Sequence, residues 1–210
     1  VAARATGESN LVDVRRARRE FMDATGKFEE DEPWFEQRMA LFLEWFVLDR
    51  IGPDEMTPAE RFLVEKLDTL EGREPQIYRE LTSTQRSLYR IERWYSGRIE
   101  LTDMIGGGLW SVSQDEPMVG LQKGDLIDVR IVPFKGELFL GRAMILHPRV
   151  AIEDIQNVLI EAHKLGLLGF TLVDLLASQR LRFEHYRHIK VKHIYCLPEE
   201  WRRRGLGAGG

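Results

Sequence analysis

The chain has 210 residues, 43% of them hydrophobic and 30% charged, which is the composition of a globular protein and excludes a disordered or fibrous one. A net charge of −4 excludes a chain built as a whole to bind polyanions. The single cysteine, Cys196, excludes an intramolecular disulfide and a thiolate zinc cage, and it fits a reducing cytoplasm.

Residues 11–24 (LVDVRRARREFMDA) predict a first helix, with Arg15, Arg16, Arg18 and Arg19 offset by Glu20, Asp23 and the acidic run that follows. That run, Glu29–Glu32, and Pro33 predict the start of a second helix, because negative charge and a proline both suit a helix N-terminus. Trp34, Arg38, Leu41, Trp45 and Leu48 fall at helical spacing, and Phe35, Phe42 and Phe46 widen the apolar stripe, so this helix is expected to be heavily buried. Thr57-Pro58-Ala59-Glu60 is a capping box with proline at the first helical position. It opens a third helix to about Leu70; a short helix over Gln76–Leu81 follows Gly72 and Pro75.

From Arg86 to Leu146 the periodicity changes. Leu88, Ile91, Trp94, Ile99 and Leu101 alternate among charged residues, and glycines recur at the spacing of turns. Lys123-Gly124-Asp125 and Lys135-Gly136-Glu137 read as hairpin turns. Five or six strands this close leave no room for crossover helices, so the sheet is antiparallel: a small barrel or a curled sheet. After His147-Pro148, helical spacing returns in Ile152, Ile155, Val158, Leu159 and Ala162. Thr171 reads as the cap of a further helix running to about Tyr186, with Asp174 at its third position. Residues 188–195 alternate and predict a last strand, and the end of the chain reads as a mobile tail. The fold class is α+β, with helical blocks over 1–85 and 149–198, the barrel or curled sheet over 86–148, and the tail over 199–210. One compact unit is expected.

Several residue groups are candidates for chemistry. Asp103-Met-Ile-Gly-Gly-Gly108 could let a phosphate approach the backbone, but a phosphate loop opens onto a helix, whereas these glycines lead into the strand-like LWSV. A tight corner with Asp103 bonding the turn backbone is the expectation. Arg86 and Arg90, upstream of it, could fork a phosphate. His185, His188 and His193 are spaced H-x2-H-x4-H, which reads as part of a basic face rather than as a metal site. From Ala177 onward eight Lys and Arg residues face three Glu, an excess of five on an acidic chain. Arg180, Arg182, Arg187, Lys190 and Lys192, interleaved with Phe183 and Tyr186, are the candidates for contact with an acidic protein partner; nucleic acid is possible there but not favoured. Ser111, Ser113 and Ser178 lack a nucleophile elbow, and Glu153-Asp154 and Glu161-x-His163 are ordinary helix-surface neighbours, so no catalytic set is formed.

The segment Phe42 to Pro148 resembles an uncharacterised bacterial domain that often precedes a SEC-C zinc motif. The resemblance rests on Leu43-Glu44-Trp45-Phe46-x-x-Asp49, Thr57-Pro58 with Phe62-Leu63, Ser87-Leu88-Tyr89, Leu101-x-Asp103, Gly124-Asp125-Leu126 and Arg130-x-Val132-Pro133. It implies no activity and no site residues. Cys196 stands alone, so the SEC-C motif itself is absent. Arg86-x-x-x-Arg90 followed by Asp103 and Gly108 is also similar to the cyclic-di-GMP-binding PilZ pattern, RxxxR then [D/N]-x-[S/A]-x-x-G, from which Ile105 departs. The leading expectation is a non-enzymatic cytoplasmic interaction or adaptor module, without cofactor, metal or membrane contact, with a second copy of the chain among the candidate partners. A PilZ-like receptor and a nucleic-acid binder are the alternatives.

Overall fold

The structure is a computed structural model that describes residues 8–114, 118–167 and 169–207. Four helices come first: α1 (Glu8–Thr25), α2 (Phe35–Leu48), α3 (Pro58–Lys66) and α4 (Glu74–Thr82). Five strands follow: β1 (Gln85–Tyr95), β2 (Arg98–Asp103), β3 (Leu109–Ser113), β4 (Leu126–Phe134) and β5 (Glu137–Leu146). Then come α5 (Ile152–Lys164), α6 (Phe170–His185), the one-turn α7 (Val191–Ile194) and α8 (Glu199–Gly207). The fold is α+β with a curled sheet in the order β1-β2-β3-β5-β4. The start of β4 returns to β1, where Ile91 N–H donates to the Asp125 carbonyl and Gly124 N–H to that of Ile91.

The chain divides into two compact units. The first holds residues 1–23, 27–85 and 130–144, and the second holds 24–26, 86–129 and 145–210, so β4 and β5 each begin in one unit and end in the other. In the first unit the aromatic stripe of α2 forms the core. Phe42 and Trp45 meet Phe21 of α1 at ring-centroid distances of 5.6 and 5.5 Å, and Phe35 meets Phe28 at 6.0 Å. The capping box forms as read: the Thr57 hydroxyl accepts from Glu60 N–H and the Glu60 carboxylate from Thr57 N–H. Pro33 does not open α2, which starts at Phe35. Glu32 instead takes the Glu29 N–H and the Trp34 indole N–H, closing a turn ahead of the helix.

In the second unit β1, β2 and β3 pair antiparallel, with Ile91↔Leu101↔Trp110 and Ile99↔Val112 in register. Ser96 and Gly97 turn β1 into β2 with positive φ at both positions, the two-residue geometry that matches strand twist; Lys135 and Gly136 do the same between β4 and β5. The core of this unit packs Leu88 and Leu126 against Ile155, Val158, Leu159 and Ala162 of α5, Leu172 and Leu176 of α6, and Ile194, Tyr195 and Leu197. No helix among the described residues is long and apolar enough to cross a membrane.

Three local expectations are corrected. Residues 188–195 form turn and the short helix α7, because Val191, Ile194 and Tyr195 bury their side chains at helical rather than alternating spacing. Residues 199–207 are helical, started by Glu199 and Glu200 after Pro198 and held by Trp201 on the core and by Arg202 paired with Glu161. Gly169, not Thr171, caps α6, with φ of 84°, which leaves Asp174 inside the helix.

Candidate functional site

Arg86 lies near the start of β1 with its side chain wholly buried. Its Nε and one terminal nitrogen donate to the two carboxylate oxygens of Asp128 on β4, at 2.9 and 2.8 Å. Its other terminal nitrogen donates to Asp174 of α6 at 2.7 Å. Burial alone would lower the Arg86 pKa, but the two carboxylates outweigh it and hold the guanidinium above arginine's ordinary value. Every nitrogen of this fork is committed to a protein carboxylate. Arg90, four residues on, is partly exposed and donates to Glu92 at 2.7 Å. The two arginines that could fork a phosphate are each engaged with carboxylates, Arg86 with Asp128 and Asp174 and Arg90 with Glu92.

The glycine corner is built by Asp103. One of its carboxylate oxygens accepts from the Ser87 hydroxyl at 2.6 Å and from the backbone N–H groups of Ile105 and Gly106 at 2.9 and 3.0 Å. Asp103 N–H closes the loop on the Gly108 carbonyl at 3.0 Å, and Met104 N–H donates to Leu88 O at 2.8 Å. Gly107 and Gly108 have φ of 78° and 97°, which only glycine adopts cheaply. Ile105 is turned to the core, where a polar residue would lack a partner. This is the tight corner the sequence predicts.

A second buried arginine lies in the first unit. Arg130 of β4 donates to Asp49 and to the Thr84 hydroxyl, and it stands 3.5 Å from Glu44. The other Glu44 oxygen accepts from Ala143 N–H at 3.2 Å. Gly141 makes room for this: a Cβ there would lie 3.1 Å from Glu44 and 3.2 Å from Arg130. Residues that carry the sequence resemblance are structural partners within each unit: Glu44 and Asp49 with Arg130 in the first, and Ser87 with Asp103 in the second. Neither Asp128 nor Arg130 is among the sequence candidates for chemistry. The available signal was LIDVRIV itself, two opposite charges two apart in an apolar strand, hence on one face and in need of buried partners.

The C-terminal basic candidates separate into two kinds. Arg180 is turned inward: its Nε donates to Leu146 O at 2.8 Å and a terminal nitrogen to Glu184. Arg182, His185, Tyr186, Arg187, His188, Lys190, Lys192 and His193 are all exposed, from the last turn of α6 through the loop into α7. The Tyr186 ring stands edge-on to His185 and His188 at 6.2 and 6.3 Å between centroids. Glu184 is the one acidic side chain between Arg182 and His193. Burial would raise its pKa, but Arg180 and Arg187 outweigh this and hold it below the usual carboxylate range. Among the described residues no group of three or more His, Cys, Asp or Glu side chains is arranged to hold a metal ion.

No curated protein and no solved structure matches the chain. Residues 14–163 match the model described as "Family of unknown function (DUF7986)", a stretch that holds the Arg130 centre, the glycine corner and Arg86 with Asp128, and ends before Asp174. The chain belongs to that family.

Proposed function

We propose that the protein is a non-enzymatic cytoplasmic interaction module that docks an acidic segment of a partner protein on the exposed stretch Arg182–Lys192. One observation carries this reading. Arg182, Arg187, Lys190 and Lys192 are all exposed, as is the Tyr186 ring on the same stretch, on a chain of net charge −4. Charge complementarity of this kind steers encounter and selects partners, and Tyr and Arg anchor interfaces. The scaffold beneath supports holding this stretch in place: α6 packs on the core through Leu172, Leu176 and Leu181, and the strand order, with β4 back beside β1, supports a small closed barrel. A cyclic-dinucleotide receptor is less well supported, because Arg86 would have to leave two carboxylates in a dry site to reach a phosphate.

The test is fluorescence anisotropy with a labelled Asp/Glu-rich peptide and, in parallel, a labelled single-stranded RNA. Peptide binding that weakens with salt and is lost when Arg182, Arg187, Lys190 and Lys192 are all changed to Glu is the expected result. Absence of peptide binding at low salt, or equal binding by the reversed variant, rejects the reading. RNA bound more tightly than peptide through the same residues replaces it with the nucleic-acid reading.

A further inference from the structure

The second unit has an open groove of about 440 Å³ along α5, lined by Met104, Gln156, Leu159, Ile160, His163 and Lys164. The five residues from α5 are spaced three, four, seven and eight apart from the first, so they form one stripe of the helix. The stripe is graded. Gln156 closes one end, Leu159 and Ile160 make an apolar middle, and His163 and Lys164 stand exposed at the other end, in the last turn. Eight residue steps from Gln156 to Lys164 give it a length of about 12 Å. Ile160 is 54% exposed, a large apolar side chain left in water beside a groove.

The facing wall is Met104, the first residue of the glycine corner. Its backbone is fixed by the bond to Leu88 O and by the Asp103 turn, so the wall is preformed, while the thioether side chain can adapt to what it meets. Among the described residues no acidic side chain lines the groove. Glu161, one position off the stripe, is occupied by a two-pronged pair with Arg202 at 2.6 and 3.1 Å. Within α5 the exposed positions before Ile160 are polar, Glu153 and Asn157, so the apolar stretch of the helix is little more than one turn and too short for the repeated anchors of a partner helix. A volume within the range of small-molecule sites, an apolar middle and a cationic end together define a ligand by its chemistry.

We propose that this groove binds a small amphipathic carboxylate, an apolar chain on Leu159, Ile160 and Met104 with its carboxylate at Lys164 and His163. The proposal stands independently of the docking role of Arg182–Lys192. The test is calorimetric titration with octanoate and with octanol, which has the same chain and no charge, together with methyl NMR shifts at Met104 and Ile160. Octanoate is expected to bind saturably and up to about fivefold tighter than octanol, the factor that an ion pair at an exposed site contributes. Lys164→Glu is expected to remove that difference and leave octanol unchanged. Ile160→Asp, at an exposed position that leaves the core intact, is expected to weaken both. The proposal is overturned if octanoate shows no saturable binding, if Lys164→Glu leaves the octanoate affinity unchanged, or if the shifts fall on Arg182–Lys192 and spare Met104 and Ile160.

Discussion

Arg86 and Arg187 are the same residue type put to opposite uses. Arg86 has no exposed side-chain surface and three hydrogen bonds to two carboxylates. Arg187 keeps 80% of its side chain in water and touches one carboxylate, Glu184. Desolvation decides the difference. Removing a charge from water costs several kcal/mol, repaid only by close and complete pairing, so a buried arginine is committed to its partners. An exposed one pairs for about 0–1 kcal/mol and can change partner at little cost. The buried centre therefore fixes how β1, β4 and α6 come together, and the exposed stretch is where a new partner can be taken.

The largest expected effect breaks the buried side of this comparison. Arg86→Ala leaves Asp128 buried without its main counter-charge and is expected to cost about 3–5 kcal/mol in urea unfolding. Arg86→Met combined with Asp128→Leu and Asp174→Asn removes all three charges and should recover most of that loss; a triple variant as unstable as the single one would show that shape, not charge, holds the site. Next in size is Asp103→Ala. It strands two backbone N–H groups and the Ser87 hydroxyl, for an expected loss of about 1–3 kcal/mol. Asp103→Asn, which keeps an acceptor, should lose less in the same assay.

The helices and the curled sheet were legible because their signals are local: the Thr57–Glu60 box, the α2 stripe, and glycines at the turns, where positive φ is needed. Asp103 as a turn-builder was legible for the same reason, since its acceptors serve residues two and three ahead. The partners of Arg86 were not. Asp128 is 42 residues away and Asp174 is 88, and nothing near Arg86 separates a buried fork from one free to take phosphate. The 188–195 stretch misled for a related reason. Ile189 and Val191 alternate with Lys190 and Lys192 in sequence, but packing of Ile194 and Tyr195 on the core overrides that pattern. The groove along α5 was invisible because it needs Met104, some fifty residues earlier, as its second wall.

The acid limb of the stability curve should show a smaller effect. Burial would raise the Asp125 pKa, but the two-pronged Arg149 guanidinium and the Gln122 N–H outweigh it and hold the carboxyl below its usual range. A depressed folded-state pKa means that the contribution is complete above the unfolded value of about 4 and is lost as pH falls through the folded value. Arg149 is half in water, so screening reduces the effect. Asp125→Asn should flatten the fall in stability below about pH 4 relative to the parent chain, measured by urea unfolding across pH.

The smallest effect on stability is also the one that sharpens the comparison most. Arg182, Arg187, Lys190 and Lys192 are exposed, and only Arg187 makes an ion pair given by the structure, with Glu184. Changing each to Glu should move unfolding by no more than about 0.5 kcal/mol per site, the range for surface substitutions away from caps and buried pairs. Arg187→Glu should show the largest share, because it places like charges beside the partly buried Glu184. A loss at Lys190 or Lys192 of the size expected for Arg86→Ala would mean that the stretch is committed to the fold as fully as the buried centre is. A neutral result for stability, joined to lost peptide binding, would mean that its charge is held ready for a partner.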